Sequence, residues 1–118
     1  MANDFKRFCV PDVGTSLTTL YGVPAGSASS ALESIVIGIT MANKSTSGIT
    51  ASIFIDNEDG SNDVYIVKDA NIPAGASLEV MSGNKLVLMN DGSNADNLEG
   101  IASATSSLDV TVSVLEDV

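Results

Sequence analysis

Two short acidic loops are the first places in this chain where residue types could do chemistry. Asp56, Glu58, Asp59 and Asp63 fall within Asp56-Asn57-Glu58-Asp59-Gly60-Ser61-Asn62-Asp63, and a second cluster follows in Asp91-Gly92-Ser93-Asn94-Ala95-Asp96. Hard oxygen ligands gathered in a turn suit calcium. The EF-hand pattern fails in the first loop, because Gly60 stands at the wrong offset from any Asp and no Glu closes the run. Solvated hairpin loops are therefore expected at both places. No metal site is expected, and no cofactor.

Nucleophiles are present but lack activation. The chain has no histidine, so there is no Ser-His dyad, no thiol-imidazole pair and no imidazole metal ligand. Cys9 is the single cysteine, which excludes an intrachain disulfide and leaves the thiol to be expected as a small buried hydrophobe. A single thiol is compatible with assembly in a reducing cytoplasm. Paired carboxylates can hydrolyse glycosides, yet no acidic residue lies in an aromatic-rich segment that would build a sugar cleft. Sugar binding without catalysis would rest on Tyr21, Tyr65, Phe5, Phe8 and Phe54, all the aromatic residues there are. The chain is not expected to be an enzyme.

One segment has the character of a partner-binding site. Phe5-Lys6-Arg7-Phe8 puts two aromatic residues and the one basic doublet into four positions. Residues 1–8 could form a docking arm for an acidic or apolar neighbour. The competing expectation is an edge strand with Phe5 or Phe8 in the core.

The 118 residues suffice for one domain, and a hydrophobic content of 44% fills its core without disulfide or metal. Aromatic residues make up 4% and Trp is absent, so Val, Ile, Leu and Ala must do the packing, which suits a pleated surface. A net charge of −10 argues against nucleic acid and against an anionic bilayer, both of which attract clustered Lys and Arg. The polar start is unlike a signal peptide. The longest apolar run, residues 35–42, is interrupted by Gly38 and Thr40 and is too short to span a bilayer, so a soluble protein is expected.

Period-two alternation dominates the elements that must position these residues. Leu108, Val110, Val112 and Val114 alternate with Asp109, Thr111 and Ser113. Ile49, Ala51, Ile53 and Ile55 alternate with Thr50, Ser52, Phe54 and Asp56. Ile35, Ile37, Ile39 and Met41 share one side of a strand whose both faces look apolar, which predicts a central position. Shorter strands are expected at 5–10, 17–21, 63–67, 77–81, 85–89 and 97–102, the last with a helical turn over 98–104 as the alternative. Val23-Pro24-Ala25-Gly26-Ser27 and Ile72-Pro73-Ala74-Gly75-Ala76 are near copies, each read as a turn with Pro at its first corner and Gly closing it. Residues 1–118 are thus expected to form one all-β, antiparallel β-sandwich or jelly-roll-like domain of about eight strands. Ile35, Ile37, Ile39, Ile53, Val110 and Val112 are its expected core.

The chain also resembles a family of small virion structural proteins of tailed bacteriophages, notably cyanophages. Phe5-Lys6-Arg7, Val13-Gly14-Thr15-Ser16-Leu17-Thr18-Thr19-Leu20-Tyr21 and Val23-Pro24-Ala25 carry the resemblance in the first half. Val64-Tyr65-Ile66-Val67-Lys68-Asp69-Ala70, Ile72-Pro73-Ala74-Gly75, Lys85-Leu86-Val87-Leu88 and Ser107-Leu108-Asp109-Val110-Thr111-Val112-Ser113-Val114-Leu115-Glu116 carry it in the second. The long stretch 90–100 departs from the pattern. The resemblance implies a structural subunit with no catalytic residues, assembled in the host cytoplasm and resident in the virion. A capsid decoration or cement protein bound to the major capsid protein is the first expectation, with homo-oligomers such as trimers. A neck, tail or fibre-associated component is the second, and a carbohydrate- or receptor-binding module the third.

Overall fold

The computed structural model describes residues 3–24, 32–56, 63–81, 85–90 and 95–117. Nine strands run through them: β1 (Asn3–Val13), β2 (Thr18–Gly22), β3 (Leu32–Asn43), β4 (Ile49–Asp56), β5 (Asp63–Ile72), β6 (Ser77–Glu79), β7 (Leu86–Asn90), β8 (Asn97–Ala102) and β9 (Leu108–Asp117). All ladders are antiparallel. A five-stranded sheet has the order β1-β9-β3, with β6 and β7 end to end along the far side of β3; a four-stranded sheet has the order β2-β8-β4-β5.

The pairing is nested. β1 pairs with β9, β2 with β8, β3 with β7 and β6, and β4 with β5. The chain is thus one long antiparallel ribbon, closed at the β4–β5 end and wrapped so that its halves alternate between two sheets. That is the jelly-roll arrangement, with β6 and β7 sharing one strand's place.

Inward residues of both sheets form one apolar cluster that includes Val36, Ile39, Met41, Ile53, Leu88, Leu98, Val110, Val112 and Val114. The expectation for Ile39, Ile53, Val110 and Val112 holds, and β8 is a strand in the interior of its sheet.

Two core expectations need correction. Ile37 is exposed and Ile35 only half-buried. The cause is a β-bulge in β3: Val36 pairs with Val114 and Gly38 with the next β9 residue, Ser113, so Ile37 has no partner. One extra residue reverses the alternation. Ser34 and Val36 face inward before the bulge, Ile39 and Met41 after it. Cys9 is also exposed, because it pairs with the outward Thr111 while its neighbours Phe8 and Val10 pair with the inward Val112 and Val110.

The turn after β5 confirms the role of Gly and shifts that of Pro. Ala76 N donates to Pro73 O at 3.0 Å, so Pro73 is the residue before the corners, and Gly75 takes the second corner with φ +74, as a type II turn requires. Of its near copy, only Val23 and Pro24 lie within the described residues.

Candidate interaction surface and buried polar cluster

Phe5, Lys6, Arg7 and Phe8 lie in β1, where Asn3 to Val10 stay in unbroken register with Asp117 to Val110 of β9. The strand divides them. Lys6 and Phe8 pair with the inward Val114 and Val112, while Phe5 and Arg7 pair with the outward Leu115 and Ser113. Phe8 packs on the core, its ring 5.0 Å from that of Tyr21. Phe5 is 77% exposed. The strand therefore divides the four residues between its two faces, Lys6 and Phe8 on the inner and Phe5 and Arg7 on the outer.

Lys6 reaches a polar cluster inside the open end of the sandwich. Glu116 continues the inward row of Val110, Val112 and Val114 and is buried. The Tyr21 hydroxyl donates to Glu116 Oε2 at 2.5 Å, and the Ser34 hydroxyl lies 2.7 Å from the Tyr21 oxygen. With the phenol proton committed to Glu116, Ser34 donates to Tyr21. Lys6 Nζ stands 3.2 Å from Glu116 Oε1, an ion-pair contact without hydrogen-bond alignment. Lys6, Tyr21 and Glu116 border an open groove of about 430 Å³ that Phe8, Thr19 and Pro24 also line.

Burial, then the hydrogen bond to Glu116, holds the Tyr21 phenol well above its ordinary value of 10.0. The folded protein keeps this proton at pH values where the unfolded chain releases it. Its contribution to stability is therefore complete below about pH 10 and is lost as the pH rises further. Denaturant midpoints of the wild type are expected to fall above pH 10 more steeply than those of Tyr21→Phe. Parallel slopes would show that the phenol is not linked to folding.

A second polar contact ties the loop after β3 to the C-terminal end of β1 and the start of β9. Lys44 Nζ lies 2.6 Å from Asp12 Oδ1 and 2.9 Å from Asp109 Oδ1. Hydrogen bonding to Asp12 first and Asp109 second raises Lys44, and the Lys44 ammonium lowers Asp109. This clamp is solvent-exposed and structural in character.

The outer face of the five-stranded sheet is the unexpected feature. Phe5 pairs with Leu115, Leu115 with Ile35, and Ile35 with Val87, so four apolar side chains make one row across β1, β9, β3 and β7. Val87 is 55% exposed, and Met89, 47% exposed, extends the row along β7. The β3 bulge turns Ile37 out beside it. Elsewhere the face is mostly polar, with Arg7, Glu33, Thr40, Glu79, Thr111 and Ser113 beside the exposed Cys9. A solvated sheet face is normally polar throughout.

The other aromatic residues are engaged. Phe54 is buried under Tyr65, with ring centroids 5.3 Å apart, and the Lys68 ammonium sits 5.2 Å from the Tyr65 centroid. The acidic loop 57–62 and residues 91–94 lie outside the described residues; among the described residues no three His, Cys, Asp or Glu side chains are grouped to hold a metal. No described helix is long and apolar enough to cross a membrane.

No family model and no curated protein matches the chain. Among solved structures, it is similar to a chain of the Bacillus endospore appendages, a family of disulfide-linked pili, at 11% identity and TM-score 0.42, covering 97% of this chain and 86% of that one. It is also similar to a chain of infectious bursal disease virus, Gx strain, at 15% identity and TM-score 0.44, covering 97% of this chain and 33% of the viral one. At that level neither likeness bears on function.

Proposed function

We propose that the chain is a non-enzymatic structural subunit of a tailed-phage virion, and within the virion a decoration protein bound to the major capsid protein. The observation that carries this reading is β1. It is the outer strand of its sheet, regular from Asn3 to Val10, with a backbone edge that has no ladder partner among the described residues. Such an edge is a ready template for strand addition. Arg7, on an otherwise acidic chain, supplies attraction to an acidic neighbour. Lys6 and Phe8 serve by anchoring the strand. The irregularity at Pro11 and Asp12, where Asp12 takes φ 55, ends the regular edge. The residue content supports binding over catalysis, since no histidine is present to activate a hydroxyl or the thiol.

Quantitative mass spectrometry of purified particles tests the proposal, with copy number scaled to the major capsid protein. Copies in the hundreds are expected. About six to twelve copies would move the subunit to the neck or tail, and absence from particles would end the virion reading.

A further inference from the structure

We infer that the outer face of the five-stranded sheet is a two-fold interface between two copies of this chain, centred on the row Phe5, Leu115, Ile35 and Val87. The inference rests on the reading of the chain as an assembly subunit and names a surface distinct from the β1 backbone edge.

Three observations select a second copy as the occupant. The first is the continuity of the row: register places these residues directly opposite one another on four neighbouring strands. Scattered exposed apolar residues are ordinary, whereas a contiguous patch marks an interaction site. The bulge at Ile37 enlarges the patch, and bulges re-aim side chains in this way.

The second is charge. The chain carries −10 overall, so most of its surface repels another copy. The four-stranded sheet shows this plainly: Asp56 and Asp63 stand directly opposite one another, and Asp69 and Glu99 join them against Lys68. Around the apolar row the charges are mixed instead: Arg7 on β1 lies in the flanking row on one side, and Glu33 on β3, paired with both Met89 and Asp117, lies in the flanking row on the other. On this face one copy presents both signs, so a second copy can set its Arg7 against the acidic flank of the first.

The third is size. Four strand lanes about 4.8 Å apart and four rows of outward residues about 6.8 Å apart cover roughly 500 Å² in projection. Protruding side chains add to that figure, bringing it toward the ~800 Å² per partner of a standard interface. A two-fold contact uses the same patch twice, so one apolar row suffices for both sides.

Sedimentation velocity on the full chain across a micromolar concentration series tests the inference, with Val87→Lys, Phe5→Ser and the control Val64→Lys. Val64 is also exposed but belongs to β5 of the other sheet. The wild type and Val64→Lys are expected to dimerise alike. Val87→Lys and Phe5→Ser are expected to weaken the dimer by more than about tenfold with melting temperatures close to wild type. A wild type that stays monomeric throughout, or a dimer broken by Val64→Lys and untouched by the other two, overturns the inference. Particle incorporation separates the two readings: a monomer found on virions removes the interface and keeps the virion role, whereas a dimer absent from virions does the reverse.

Discussion

Leu98→Ala is expected to destabilise the protein by about 3–5 kcal/mol, whereas Ile37→Ala should change stability by no more than about 0.5 kcal/mol. Leu98 is fully buried on β8, between β2 and β4, and lies in the core facing the five-stranded sheet. Truncation there removes apolar burial and leaves a cavity that two hydrogen-bonded neighbours prevent from collapsing. Ile37 is the bulged residue of β3 and stays 39% exposed. Its substitution removes surface that water already reaches. Urea unfolding of both variants measures the difference, and comparable losses would mean that β3 runs without the bulge.

This pair marks where sequence was informative and where it was not. Alternation located all nine strands, since a half-buried strand needs only one apolar residue in two. β4 and β8 match their expected spans of 49–56 and 97–102. The polar half of β5, from Lys68 to Asn71, was missed because Lys68, Asp69 and Asn71 are exposed and leave no apolar signature. The bulge in β3 was illegible for a different reason. Ile35, Ile37 and Ile39 present an unbroken period of two, and only pairing against β9 shows that Ile37 has no partner. The surface row has the same origin, because Phe5, Leu115, Ile35 and Val87 are brought together by inter-strand register alone. The Tyr21–Glu116–Ser34 cluster was partly legible. Continuing the Val110, Val112, Val114 alternation by two residues places Glu116 inward, where a carboxylate must find donors; which donors it finds depends on how β2 and β3 cross its end.

Removing residues 1–8 is expected to cost about 3 kcal/mol or more, instead of leaving an intact domain that has merely lost an arm. β1 supplies half of the contact with β9, so truncation strips ladder hydrogen bonds from the outer side of Asp117 to Val112. It also removes Phe8, whose burial against Tyr21 and the core is worth about 1.5–2 kcal/mol at its partial exposure. Lys6 leaves with it. Breaking a fully buried ion pair costs about 3–5 kcal/mol; with the lysine side chain 48% exposed and water able to screen it, about 1 kcal/mol is the appropriate share. Glu116 then keeps Tyr21 as its donor but faces a larger opening with no ammonium beside it. The double substitution Phe5→Ser with Arg7→Ser separates strand from surface, since both residues point outward and neither contributes to the core. That variant should melt near the wild type and fail to associate, while the truncated chain melts lower whether or not it associates. A truncated chain with an unchanged melting temperature would mean that β9 is stable as an edge and that β1 is a detachable segment after all.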